Sequence, residues 1–237
     1  AFTCFGIGAL LLALLVFPLG RLGAATPEAA DARVQRWIHL AFRGFRRLME
    51  GLGLLQTRWI GLEALHAPGA KLVVANHPTL IDVVHLVAEL PQADCIVNDA
   101  RTRNPFLALA ARAAGYLSNA RGPELVAACA ARLRAGRTVL LFPEGTRSPE
   151  KGLRPFHRGA AHVALAAGVP LVPGAIRCEP RTLMKGRPFW DVPERAAAYT
   201  LRVLEPLPAG GEEGVSVAVA ARRTTAELRR RLLAWAA

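Results

Sequence analysis

From Lys71 onward, short apolar runs alternate with segments of helical spacing, and this alternation limits the fold more than any other feature of the chain. Lys71–Ala75 is an apolar, partly β-branched run that stops at Asn76, and Thr138–Phe142 and Leu171–Ile176 are similar runs. Cys95–Val97 and Tyr199–Leu204 read as further strands. Between them, Leu80–Leu90, Phe106–Ala114, Pro123–Ala135 and Ala160–Ala167 read as helices, and Ala220–Trp235 closes the chain with Leu228, Leu232 and Trp235 on one face. Strands alternating with helices predict an α/β fold, with a mostly parallel central sheet flanked by helices. Sites in such sheets form where strands end and helices begin. No internal repeat is visible, and Leu207–Gly214 is the expected linker.

The N-terminal part follows a different pattern. Ala1–Gly20 carries no charged side chain and is rich in Leu and Phe, and the first residue is Ala rather than Met. Twenty helical residues span about 30 Å, the thickness of a bilayer's hydrocarbon core. A membrane-anchoring helix over residues 1–20 is the expectation. A cleaved signal peptide, suggested by the small residues Gly23, Ala24 and Ala25, and a buried core helix are the alternatives. Arg21, Arg33, Arg36, Arg43, Arg46 and Arg47 follow closely and favour the cytoplasmic side for what comes next. Val34, Ile38, Phe42, Phe45 and Met49 recur at helical spacing from about Ala30 to Leu52, with most arginines elsewhere on the helix. Residues 21–56 therefore read as a basic amphipathic segment suited to a headgroup layer, and 57–237 as the α/β domain.

Composition narrows the function classes. A net charge of +12 favours anionic partners, although the excess of Arg over Lys also fits a genomic bias. A nucleic-acid module would suit the charge, but aromatic stacking platforms and a recognisable motif are missing. The four cysteines, Cys4, Cys95, Cys129 and Cys178, have neither zinc nor disulfide spacing and read as free thiols.

Two constellations carry chemistry. In Asn76-His77-Pro78-Thr79-Leu80-Ile81-Asp82, the imidazole follows a strand directly. Thr79 can cap the next helix, which puts Asp82 in its first turn and near the imidazole. A carboxylate holding one ring nitrogen leaves the other as a general base, unless Thr79 and Asp82 serve only as a capping pair. Phe142-Pro143-Glu144-Gly145-Thr146-Arg147 follows the next buried strand. Gly145 permits a tight turn, and Arg147 presents a planar fork suited to phosphate. Lys151, Arg154, His157 and Arg158 make the loop cationic. Two weaker features are Gly115 with Arg121 six residues later, and Val169-Pro170-Leu171-Val172-Pro173.

These four blocks, in this order between Asn76 and Pro173, resemble the glycerolipid acyltransferases that make phosphatidic acid from lysophosphatidic acid. The resemblance covers about Lys71 to Pro206. It implies that His77 is the general base and Asp82 its partner, and that Glu144, Gly145, Thr146 and Arg147 with Arg121 bind the acceptor phosphate. It implies an O-acyltransferase of phospholipid biosynthesis, without metal or redox cofactor. Acyl-CoA or acyl-carrier protein would be the donor, a lysophospholipid the acceptor and membrane lipids the surroundings. Ser118 and Asn119 replace the family's usual aromatic and aliphatic pair, and Thr79 replaces a common serine. These departures concern the acceptor, which could belong to a specialised lipid pathway. A catalytically inactive lipid-binding homologue is the other alternative.

Overall fold

The computed structural model describes residues 2–12, 20, 22–97, 105–119, 123–188, 190, 191, 193–209 and 214–236. Its helices are α1 (Phe2–Leu11), α2 (Pro27–Gly51), α3 (Glu63–His66), α4 (Asp82–Val87), α5 (Pro105–Ala113), α6 (Pro123–Arg134), α7 (Gly159–Ala167) and α8 (Val217–Ala236). Its strands are β1 (Leu55–Ile60), β2 (Lys71–Ala75), β3 (Ala93–Val97), β4 (Leu117–Ser118), β5 (Thr138–Leu141), β6 (Leu171–Glu179) and β7 (Ala197–Val203).

The strands form one sheet in the order β1-β7-β6-β2-β5-β3-β4. All neighbours are parallel except β6 and β7, so β1 and β7 run against the other strands. The expected α/β sheet is present and mostly parallel, and its reversed edge was not foreseen. Strand β2 is buried along its whole length, because it lies between β5 and β6 and has helices on both faces. Alternation sends Val73 and Ala75 into one core cluster, and Leu72 and Val74 into the other. A continuous apolar run is what such a doubly covered strand requires.

The first core cluster includes residues of α2 and α4, and the second residues of α6, α7 and α8. Helix α2 starts at Thr26, whose hydroxyl accepts from Ala29 N–H at 3.2 Å, followed by Pro27 in the first turn. Its inner face supplies Val34, Ile38 and Met49. Gln35 Nε2 donates to Asp94 Oδ1 at 3.0 Å and to Ala114 C=O at 2.8 Å, and Arg46 pairs with Glu89. Asp94, fully buried, is also gripped by Arg137 through bonds of 2.6 and 2.7 Å. Trp37, Leu40 and Leu48 stay exposed on α2, alongside Arg33, Arg36, Arg43 and Arg47.

The expected membrane-anchoring helix over residues 1–20 lies only partly within the described residues. Helix α1 covers ten of those residues, and 13–19 lie outside the described residues. Among the described residues no helix is long and apolar enough to cross a membrane.

Cys95, Cys129 and Cys178 are free and buried. Burial pushes the Cys95 and Cys178 thiols up to about 12 and Cys129 up to about 11, so all three stay protonated near neutrality.

Candidate active site

Strands β2 and β5 are parallel neighbours, with Val74 opposite Leu141. The chain leaves both strands at the same edge of the sheet, so the first and third sequence blocks emerge side by side. On the other flank of β2, Asn76 ties the exit to β6. Its amide donates to Ile176 C=O at 2.8 Å and accepts from Ile176 N–H at 2.7 Å.

His77 then turns into the site. Its Nδ1 lies 2.7 Å from Asp82 Oδ2. Asp82 is fully buried, and it also accepts from Thr79 N–H at 2.8 Å and from the Thr79 hydroxyl at 2.6 Å. Thr79 does not cap the helix as expected. Helix α4 begins at Asp82 itself, after Ile81, with no side-chain cap. The reason is local: the Asp82 carboxylate reaches back to the Thr79 N–H and captures the hydroxyl as well, making one arm of a capping box and diverting the other. Three donors therefore converge on Asp82, and an ionised carboxylate can only accept. The ring proton belongs on Nδ1, which leaves Nε2 as the basic nitrogen. Phe142 stacks on the imidazole, with ring centroids 4.4 Å apart and planes 26° from parallel.

Glu144 is engaged by groups of its own chain. It is 3% exposed. Its Oε1 accepts from His77 N–H at 3.2 Å and from the Ser148 hydroxyl at 2.6 Å, while Oε2 accepts from Arg154 N–H at 2.9 Å. The carboxylate thus binds its own chain and fastens the third block to the first. Ser148, which the motif reading passed over, joins the same fastening; the only signal for it in sequence was a hydroxyl directly after Arg147.

Gly145 has φ +66, which explains the glycine, and a Cβ there would come within 3.3 Å of the His157 ring. Arg147 Nη1 donates to Leu183 C=O at 2.7 Å, and the same carbonyl accepts from Leu80 N–H at 3.2 Å. Leu183 has φ +53, uncommon for a residue with a side chain. Lys151, His157 and Arg158 are exposed around this loop and Arg154 is half-buried. Thr146 is half-buried in the turn.

The structure brings His77, Asp82, Glu144, Gly145, Thr146 and Arg147 into one neighbourhood. Arg121 lies outside the described residues. Gly115, its partner in the second block, has φ +65 and packs against Asp31 of α2 so closely that a Cβ would lie 2.0 Å from Asp31 Oδ2. Among the described residues no group of three or more His, Cys, Asp or Glu side chains could hold a metal ion.

A hydroxyl acceptor presented to Nε2, beside a cationic loop, is what this geometry can serve. Comparison with known proteins bears on the chemistry. The family model described as Acyltransferase matches residues 56–177. A Caenorhabditis elegans protein provisionally named 1-acyl-sn-glycerol-3-phosphate acyltransferase acl-2 is 28% identical over 173 residues, 66% of this chain and 57% of that one. The 1-acyl-sn-glycerol-3-phosphate acyltransferase of Helicobacter pylori is 36% identical over 104 residues, 40% of this chain and 44% of that one. The chain therefore spans about half the length of these curated relatives. In fold it is similar to the crystal structure of the 1-acyl-sn-glycerophosphate acyltransferase PlsC from Thermotoga maritima. The TM-score is 0.72 at 20% identity, over 98% of this chain and 92% of that one.

Proposed function

Because this chain belongs to the acyltransferase family, we propose that it moves a fatty acyl group from a thioester donor to a hydroxyl of a lysophospholipid such as lysophosphatidic acid, giving phosphatidic acid. The observation that carries the proposal is the His77–Asp82 contact of 2.7 Å, set at the end of β2 beside the cationic loop that follows β5.

In the proposed mechanism, Nε2 of His77 takes the proton of the acceptor hydroxyl as its oxygen attacks the thioester carbonyl. The tetrahedral intermediate collapses, the carbon–sulfur bond breaks, and the thiolate leaves with the proton that His77 held. The Asp82 carboxylate fixes the imidazole and steadies its positive form, as the aspartate does in a serine-protease triad. Gly145, Thr146 and Arg147, with Arg121, take the acceptor's phosphate. Glu144 shapes that loop from behind.

The donor is acyl-CoA or acyl-carrier protein, and the acceptor lies in a bilayer, so the reading puts catalysis at a membrane surface on its cytoplasmic side. Residues 1–20 and the outer face of α2 would hold it there. Ser118 and Asn119 depart from the family's pattern, and a second reading follows from them: a lysolipid acceptor from a specialised pathway.

One experiment tests both. The chain is incubated with each donor type and a panel of lysolipids, and the products are read by mass spectrometry. Acyl transfer to lysophosphatidic acid that disappears in His77→Ala supports the first reading, and transfer confined to another lysolipid supports the second. No acyl transfer to any acceptor, with the protein folded, overturns both.

A further inference from the structure

The turn 144–147 is held at both ends by one residue outside it. Arg154 N–H donates to Glu144 Oε2 at 2.9 Å, and Arg154 Nε donates to the Arg147 carbonyl at 3.1 Å. Arg154 is held in its turn by the last helix. Arg229 of α8 donates from Nη2 to the Leu153 carbonyl at 3.1 Å and from Nε to the Arg154 carbonyl at 3.3 Å. Helix α8 lies outside residues 56–177, the part that the Acyltransferase family model matches. Acyl transfer, as described above, gives it no part.

Local chemistry sets this arginine apart from its neighbours. Arg229, Arg230 and Arg231 are consecutive, yet they meet different partners. Arg230 and Arg231 bond Glu227 of their own helix, through distances of 2.7 and 2.8 Å. Arg229 is half-buried and reaches a residue 75 positions away. Leu228 beside it, with Leu232, shares a core cluster with Leu153, which seats the loop on the helix. A guanidinium presents its donors in a planar fork, so bonds to two consecutive carbonyls fix direction as well as distance. The Leu153 carbonyl and the Arg154 N–H also belong to one peptide unit, which is planar. Arg229 grips one side of that unit and Glu144 the other. A cation on the carbonyl makes the N–H a stronger donor to Glu144, because hydrogen bonds in series polarise one another.

We propose that Arg229 is a positioning residue for the acceptor's phosphate: acting through Arg154, it holds the turn 144–147 in the shape that presents Arg147 and the turn's backbone to that phosphate. The proposal rests on reading this loop as the phosphate site. The two oxygens of Glu144 then serve different ends. Oε1 binds His77 N–H and the Ser148 hydroxyl, so the base keeps its place without Arg229. Oε2 and the Arg147 carbonyl are held through Arg154, so the turn loses support at both ends when Arg154 is released. Loss of Arg229 should therefore appear in acceptor binding rather than in the proton-transfer step.

The full chain in detergent micelles is titrated with lysophosphatidic acid and with monoacylglycerol, which lacks the phosphate. Exchange of the Arg154 N–H is followed by NMR without substrate, and circular dichroism confirms folding. Arg229→Ala should weaken lysophosphatidic acid binding about 10-fold, the scale of one hydrogen bond, and leave monoacylglycerol within about 2-fold. Exchange at Arg154 N–H should quicken by about 10-fold as well. In steady state the acceptor KM should rise about 10-fold with kcat within about 3-fold, the pattern of lost binding. Ethylguanidinium added to Arg229→Ala should restore the preference for the phosphate. Arg229→Lys keeps the charge without the fork and should lose about 3-fold; it carries the test if the alanine variant does not fold. Arg230→Ala removes a charge from the same helix and should change neither binding nor exchange. A folded Arg229 variant with unchanged exchange overturns the proposal. So does an equal loss for both lipids, which marks general loosening, or an equal effect of Arg230→Ala, which marks surface charge. If the unaltered protein binds both lipids alike, the phosphate reading of the loop fails by itself, and the exchange rate still decides whether Arg229 holds the turn.

Discussion

Ser148 holds His77 by both ends of its peptide backbone. The Ser148 hydroxyl accepts from His77 N–H at 3.2 Å, and Ser148 N–H donates to His77 C=O at 2.7 Å. The imidazole is thereby oriented from behind by the loop that follows β5, with Glu144 bonded to the same N–H and the same hydroxyl.

This fastening separates two roles for Glu144. Glu144→Gln puts an amide donor among groups that already donate, so one of the bonds to His77, Ser148 or Arg154 must break. Turnover should fall about 10²-fold, the scale on which a misplaced reacting group slows a reaction, while the acceptor KM stays within about 3-fold. Ser148→Ala loses the hydroxyl but keeps the backbone bond, and should lose about 1–2 kcal/mol of stability with a smaller fall in kcat. Steady-state kinetics on both variants decide the matter. An acceptor KM that rises with kcat intact would make Glu144 a substrate ligand after all.

His77→Ala should lower kcat by at least ~10²-fold, as for the loss of a general base, and leave folding intact. Asp82→Asn should behave differently. Its amide cannot accept at every position where Asp82 accepts from Thr79 and His77, so it should lose activity to a similar degree and about 1–3 kcal/mol of stability as well. Thermal melts set beside rates separate the two, and near-normal activity in a folded His77→Ala protein would refute the mechanism.

Arg147→Ala should chiefly raise the acceptor KM, since guanidinium–phosphate contacts contribute to binding. The Arg147 bond to Leu183 adds a second expectation. The segment held through Leu183 should become more accessible, which hydrogen exchange at Leu80 N–H can read, because Leu183 C=O accepts from both. A change in the donor KM alone would show that the loop had been assigned to the wrong substrate.

Gly115→Ala tests a structural role in the second block. The left-handed backbone alone costs about 1–2 kcal/mol for alanine, and the new methyl would collide with Asp31. A fall in Tm of about 5–10 °C is expected, using about 2–4 °C per kcal/mol for a domain of this size. The double variant with Asp31→Ala should show a coupling above about 0.5 kcal/mol, the level at which neighbouring sites stop being additive. Strict additivity would mean that the close approach carries no energy.

The membrane reading divides labour between the N-terminal segment and α2. Each arginine near an anionic surface contributes about 1 kcal/mol of attraction, weakened by salt, and burying Trp37 or Leu40 adds about 1.5–3 kcal/mol each. Without residues 1–20, the protein should bind anionic vesicles reversibly and only at low salt, and Trp37→Glu with Leu40→Glu should weaken that binding at least ~10²-fold. Activity on bilayer lysolipid should fall more than activity on a short, water-soluble acceptor. Sedimentation with vesicles across a salt series, followed by both assays, checks this; full vesicle binding of the truncated protein at high salt, or an equal loss of both activities, would contradict it.

Local pattern made much of this protein legible. The run Lys71–Ala75 had to be a strand buried on both faces, because no polar residue interrupts it after Lys71. The spacing from His77 to Asp82 brings the two together by itself, since the turn and the first residue of α4 span only five positions. The amphipathic period of α2 was equally readable, because Val34, Ile38 and Met49 recur along its core-facing side, and the helices α5 to α8 fell within or close to the segments that the apolar pattern marked.

Other features depend on residues far apart in sequence. Leu55–Ile60 reads as no clear strand, with Gln56, Thr57 and Arg58 in its middle; it becomes one because β7 offers a free edge to pair with. The antiparallel turn from β6 to β7 was hidden too, since strand direction leaves no mark on composition. The motif made Glu144 look like a ligand for substrate, and only the approach of His77 N–H, the Ser148 hydroxyl and Arg154 N–H showed that its carboxylate is already engaged. Tyr199 and His85 lie far apart in sequence, and only the fold stacks their rings, with centroids 4.1 Å apart. Sequence by itself determined which side chains could do chemistry and which segments had to be buried, because propensity and periodicity act over a few residues. The tertiary structure alone decided which donor meets which acceptor, because a hydrogen bond depends on positions in space that the chain reaches only after its strands have paired.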